Sequence, residues 1–145
     1  MRRLWLRGAL ALLVLGALAA ALVAWLNVRG EAPLRREAAA PASAELVARG
    51  AYLARAGNCM GCHTVPGGPA YAGGRGVPTP FGTIYAPNLT PDAATGLGAW
   101  TPDEFWRALH HGRSRDGRLL YPAFPYPNYT RVTRADSDAL HAYLQ

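Results

Sequence analysis

The sequence predicts a small all-α domain carried behind a single N-terminal transmembrane helix. Three observations lead there: an uncharged apolar run near the start, three downstream segments with helical spacing or helix-start residues, and connecting stretches crowded with Gly and Pro that carry few strand signals. A chain of 145 residues accommodates such a helix, a tether and one domain of about a hundred residues.

The span comes first. Arg2, Arg3 and Arg7 precede 19 residues, 8–26, that carry no charge. As a helix rising ~1.5 Å per residue, this run covers roughly 28 Å, close to the hydrocarbon thickness of a bilayer. Trp5 and Trp25 lie near its ends, where amphipathic rings favour the interface, and the arginines before it place the N-terminus inside. The chain beyond the span is then outside, which for a Gram-negative cell means an inner-membrane protein with its domain in the periplasm. A cleaved secretory signal is the competing reading, because Ala19, Ala20 and Ala21, and again residues 42–44, resemble cleavage sites. The apolar run is longer than the ~7 to 15 residues of a signal core, so an uncleaved anchor is expected over residues 1–28.

Residues 29–44 are rich in Ala, Pro and charge, including Pro33, Arg35, Arg36, Glu37 and Pro41, and read as a tether. Residues 45–145 form the domain. The formal net charge of +6 divides unevenly: residues 1–44 carry six arginines and two glutamates, residues 45–145 nine arginines and seven acids. Most of the basicity is therefore a topology signal at the membrane, and it gives no reason to expect nucleic-acid binding. No lysine occurs in the chain.

The first helix of the domain is expected from residue 45 to 57, where Leu46, Gly50, Leu53, Ala54 and Gly57 share one face. Gly50 costs about 1 kcal/mol of helix propensity relative to Ala, which makes sense if another backbone approaches there. This helix leads into Cys59-Met60-Gly61-Cys62-His63, the stretch around which the domain is organised. Two thiols three positions apart with a histidine directly after the second is the arrangement of c-type haem attachment: each sulfur adds across a vinyl group, and the imidazole reaches the iron. A zinc site would need a second pair of ligands. A thioredoxin-like pair belongs near a βαβ pattern that the sequence does not show. A plain disulfide leaves the adjacent His63 without a purpose.

After His63 the Gly- and Pro-rich stretch 66–80 is expected to be irregular loop wrapping a large ligand. A second helix starts at Thr101 as N-cap, with Pro102 first in the helix and Glu104 completing a capping box, and stops at Gly112. A third starts at Thr133, with Asp136 three residues on, and presents Leu140, Tyr143 and Leu144 on one face. Between them, residues 120–128 read as a proline-stiffened apolar loop. Arg75, Trp100 and Asn88 are candidate donors to haem propionates or to the surrounding loop. Phe81, Tyr85, Leu89, Phe105, Leu109, Phe124 and Tyr126 are candidate core or haem-pocket residues.

Helix, CMGCH, long loop, helix, stiff loop and final helix resemble the class I cytochrome c fold, three to five short helices around one covalent haem c, in which first and last helices cross. That resemblance implies that Gly50 lets Tyr143 or Leu140 approach. The segments ARGAYLARAGNCMGCHT, TPFGTIYAPNLTPDAATGLGAWTPDEFWRALHHG and GRLLYPAFPYPNY are further similar to the cytochrome subunits of membrane-bound bacterial dehydrogenases acting on alcohols, sugar acids such as gluconate, aldehydes or N-heterocycles. Many of those subunits carry three haem domains; this chain resembles one, as a single-haem form or a fragment. The resemblance implies a non-enzymatic electron carrier, with a dehydrogenase catalytic subunit as donor and quinone or a terminal oxidase of the respiratory chain as acceptor.

One departure stands out. In many of these relatives the stiff loop reads LYPAMPY and its methionine is the expected sixth iron ligand, whereas Phe124 stands there here. Met1 lies in the leader and Met60 inside the attachment motif. His110 or His111, ending the second helix, and His141 on the third are candidate replacements, although a histidine near a helix C-terminus is favoured there without any metal. An open iron behind Phe124 is the expectation, and with it the alternative of a haem protein that binds a small gas.

Overall fold

The computed structural model describes residues 2–29, 31, 33–35, 41–120 and 123–145, and the chain divides into two compact units, residues 1–33 and 34–145. Met1, the tether's Arg36 and Glu37, and Tyr121 and Pro122 of the stiff loop lie outside the described residues.

The first unit is one helix, α1 (Arg2–Val28), with none of its residues buried. It is long and apolar enough to cross a membrane. At its end the Arg29 amide closes the last turn on the Trp25 carbonyl at 2.9 Å, and the Arg29 guanidinium lies 5.5 Å over the Trp25 ring.

The second unit is built on helices α2 (Ala44–Ala56), α3 (Cys59–His63), α4 (Pro102–His111) and α5 (Arg134–Leu144). Ser43 caps α2 by accepting from the Leu46 amide at 3.2 Å. In α4 both halves of the capping box form: the Thr101 hydroxyl accepts from the Glu104 amide at 3.3 Å, and Glu104 Oε2 accepts from the Thr101 amide at 2.9 Å. Gly112 ends α4 in the left-handed region, at φ 59°, and the Tyr126 ring lies against it. Thr133 caps α5 through the Asp136 amide at 3.2 Å. These starts are written in residues three apart, which is why the sequence places them well.

α2 and α5 pack together and carry the core. A β-carbon on Gly50 would collide with the Ala139 carbonyl oxygen and lie 2.7 Å from Tyr143 Cβ, so the glycine is what lets the two backbones meet. Ala54, Leu140 and Leu144 from this pair join Phe105 and Leu109 of α4 and the loop residues Tyr71 and Leu97 in one buried cluster. Arg134 ties α5 to α4 through Asp103, at 2.6 Å, and to Asp138 at 2.8 Å. Asp103 also accepts the backbone amide of Arg35 at 2.7 Å, so that residues 34 and 35, inside the expected tether, belong to this unit.

The all-α expectation needs one correction. Strands β1 (Gly76–Thr79) and β2 (Gly82–Tyr85) form an antiparallel hairpin with Val77 opposite Ile84. Its turn closes through Thr79, whose hydroxyl donates to the Gly82 carbonyl at 2.7 Å and accepts from the Phe81 amide at 3.1 Å; Gly82 has φ +119°. Pro78 and Pro80 make this stretch look like loop, but both strands of a two-stranded sheet are edges, where proline is tolerated. The hairpin also carries Phe81 and Tyr85, expected as core or haem-pocket residues, out of the core, where they are 77% and 69% exposed.

Candidate functional site

The attachment motif forms a helical turn of its own. Gly57 ends α2, its amide donating to Leu53 at 2.8 Å, and Asn58 adopts a left-handed conformation, φ 51°, which asparagine tolerates. The chain then turns into α3, which carries Cys59, Cys62 and His63. Both cysteines are free thiols, Cys59 half-buried and Cys62 exposed. Burial pushes the Cys59 thiol up in pKa, with the neighbouring Cys62 adding to the shift.

His63 is held from behind. Its Nδ1 donates to the Pro87 carbonyl oxygen at 2.8 Å, which fixes the tautomer and leaves Nε2 with a lone pair. Burial lowers its pKa and the Pro87 bond only partly opposes this, so the ring is neutral at pH 7, the form that binds a metal. The Pro87 segment is itself braced. Asn88 Oδ1 accepts from the Thr90 amide at 2.8 Å while its Nδ2 donates to Thr95 Oγ1 at 2.9 Å. Asp92 Oδ1 takes the Thr95 hydroxyl at 2.8 Å and the Ala94 amide at 3.1 Å.

Phe124 reaches the same region through Tyr129. The two rings stack at 5.3 Å with 18° between planes, and the Tyr129 hydroxyl donates to the Gly57 carbonyl, just before the motif, at 3.4 Å. Burial raises the Tyr129 pKa, with the two thiols contributing. Leu89, Trp100, Phe124 and Tyr129 all pack against the core from its half-buried margin. Arg75 is exposed at the foot of the hairpin.

The histidines separate cleanly. His141 is buried, 2% exposed, with Nε2 donating to the Trp100 carbonyl at 3.1 Å and its ring 5.5 Å from that of Phe105; it is a core residue joining α5 to the end of the 86–100 segment. His110 is stacked on Trp106 with centroids 3.4 Å apart. His111 is half-buried at the end of α4. Among the described residues no group of three or more His, Cys, Asp or Glu is placed to hold a metal ion.

The donor set fits a covalently attached haem: two free thiols on one turn, an imidazole with its outer nitrogen anchored and its inner one available, and an apolar margin of aromatic rings beside them. The cytochrome c family model matches residues 47–145. The chain belongs to the cytochrome c family. Family membership implies covalently bound haem c, and Cys59, Cys62 and His63 are the residues that could hold it.

Among the curated proteins this cytochrome is similar to a nicotinate dehydrogenase subunit of Pseudomonas putida, 48% identical over 144 residues, covering 99% of this chain and 12% of that protein. It is 52% identical over 99 residues to the gluconate 2-dehydrogenase cytochrome c subunit of Pantoea cypripedii, covering 68% of this chain and 22% of that protein. With the fructose dehydrogenase cytochrome subunit of Gluconobacter japonicus it shares 45% over 107 residues, 72% of this chain and 22% of the relative. The chain thus spans less than a quarter of the length of these three relatives.

Sequence reasoning missed Pro87, whose carbonyl orients the His63 ring, along with Tyr71 and Tyr129. Pro87 had a local signal, since Asn88-x-Thr90 is an Asx-turn pattern that shapes the backbone directly after it. Tyr71 is buried and sits at φ 60°; its ring meets Tyr143 edge to face at 5.9 Å, and burial pushes its hydroxyl up to about 12. Nothing local marks it.

Proposed function

We propose that this chain is a membrane-anchored c-type cytochrome with one haem that carries electrons from a dehydrogenase catalytic subunit to the respiratory chain, through quinone or a terminal oxidase. Residues 1–28 are the anchor, 29–44 the tether, whose residues 34 and 35 join the second unit and whose Ser43 and Ala44 start α2, and 45–145 the haem domain, with the N-terminus inside the inner membrane and the domain in the periplasm. The observation that carries this reading is the His63–Pro87 hydrogen bond of 2.8 Å next to two free thiols.

When bound, haem c supplies the ferric/ferrous couple. Cys59 and Cys62 would hold it through thioether bonds, and the one pair of cysteines in the chain would serve one attachment. His63 Nε2 would be the nitrogen offered to the iron, made more basic by the Pro87 carbonyl on Nδ1. Asn88 keeps that carbonyl in place, Trp100 and Phe124 line the pocket, and Arg75 is the cation available to a propionate. A dehydrogenase partner is supported by relatives named as dehydrogenase subunits.

A second reading comes from Phe124. A phenyl ring cannot ligate iron, His141 is committed to Trp100 and His110 to the Trp106 stack, which leaves His111 as the remaining histidine candidate for the sixth position. An open distal face would bind a small gas.

The deciding experiment matures the full chain with a c-type haem system and measures its mass, then its optical and EPR spectra with and without carbon monoxide. A mass raised by one haem and low-spin spectra insensitive to CO support electron transfer alone. A high-spin ferrous form that binds CO supports the gas-binding reading. An unmodified mass rejects both.

A further inference from the structure

The geometry points to Gly73 as the positioning residue that clamps the His63 backbone against the Pro87 peptide and so sets the strength of the bond between them; this rests on His63 being the iron ligand. Gly73 is buried where the two segments cross. Its amide donates to the His63 carbonyl oxygen at 2.8 Å, and it pairs with Thr64 in a parallel bridge. Its other side faces the strap formed by residues 86–88. A β-carbon there would lie 2.6 Å from the Pro87 carbonyl carbon and 2.7 Å from both Ala86 O and Asn88 N.

The surrounding bonds hold this crossing closed. The Tyr71 amide donates to Thr64 Oγ1 at 2.9 Å, and the Leu89 amide donates to the Tyr71 carbonyl at 2.8 Å. The residue bearing the ligand and the residue bearing its acceptor are 24 positions apart in the chain, and Gly73 touches both backbones. A hydrogen bond to the outer nitrogen of a ligating histidine fixes ring orientation and raises ligand basicity. A more basic ligand favours the ferric state. Pushing the strap away from His63 therefore weakens the bond and raises the reduction potential.

Gly74 separates this role from the ordinary use of glycine in a turn. Both residues have left-handed backbones, φ +77° and +80°, so alanine strains both alike. Around Gly74, however, the nearest atom to an added β-carbon is Val65 Cγ1 at 3.7 Å. The hydrogen bond its amide donates to Ala86 O survives in an alanine variant.

The test uses the full chain, matured with haem and purified in detergent. Gly73→Ala, Gly74→Ala and Thr64→Val are compared with the parent by redox titration, which decides the test, and, where the ferrous protein binds CO, by resonance Raman measurement of the iron–histidine stretch after CO photolysis. Gly73→Ala is expected to raise the potential and lower the stretching frequency, while Gly74→Ala changes neither. Thr64→Val removes the acceptor of the Tyr71 amide without adding bulk at the strap, and is expected to shift both quantities in the same direction by less. Equal shifts in the two glycine variants, or no shift in Gly73→Ala, overturn the proposal. If Gly73→Ala yields no folded holoprotein, an unchanged Thr64→Val overturns it instead. Absence of covalent haem from the parent removes the ligation reading and this proposal with it, an outcome distinct from a loaded protein whose potential does not move.

Discussion

Gly50 on α2 lies flat against the carbonyl group of Ala139 on α5, so close that a β-carbon would overlap the oxygen. Backbone atoms cannot move aside as a flexible side chain does. Gly50→Ala should force α2 and α5 apart and cost about 3 kcal/mol, read as a lower midpoint in denaturant with the slope unchanged. Ala54→Gly on the same face leaves that contact intact and should cost about 2 kcal/mol, from helix propensity and the lost buried methyl together.

His141 is neutral in the fold because burial lowers its pKa; the Trp100 carbonyl and Asp138 oppose that shift, and Arg134 adds to it. Below 6.5, its ordinary value, the unfolded chain takes up a proton that the folded chain does not. Stability due to this group is therefore complete above 6.5 and falls as pH drops toward the lower folded pKa. His141→Gln should flatten that part of the stability profile, measured by denaturant titration at a series of pH values. A slope identical to the parent's would show that the ring is not the titrating group.

Asp103 works in the opposite pH range. Burial pushes its carboxyl up, but the Arg35 amide and the Arg134 guanidinium outweigh this and hold it below its ordinary value of 3.8. Its stabilisation is present above 3.8 and is lost as pH falls through the lower folded pKa. Asp103→Asn should destabilise the domain by about 1–3 kcal/mol at pH 7 and remove the acid limb attributable to this residue. It should also release residue 35 from α4, seen as faster amide hydrogen exchange at Arg35.

Phe124→Met places a thioether at the loop position where the LYPAMPY pattern puts the expected sixth iron ligand. With haem bound, the variant should become low-spin in the ferrous state, lose CO binding and gain a higher potential than the parent. Optical spectra and a redox titration measure all three. A spectrum unchanged from the parent would mean that the ring stacked on Tyr129 does not face the iron.

The features legible in the sequence are those that neighbouring residues settle among themselves. CMGCH is five consecutive residues, the caps at Thr101 and Thr133 act over three, and the span is one uninterrupted run; propensity, capping and covalent chemistry operate at that range. The Gly50 prediction also came from one residue out of keeping with its helix, though the partner that meets it is Ala139 as well as Tyr143. Other features exist only once the chain has packed. Pro87 on His63, Gly73 under the strap, Trp100 on His141 and the half-buried margin around Tyr129 join residues 10 to 72 positions apart. The hairpin fell between these cases, since its prolines hid a strand pattern that pairing restored. Long-range contacts leave no periodic mark because each depends on where a backbone oxygen or a ring arrives after packing, and backbone oxygens are the same in every residue.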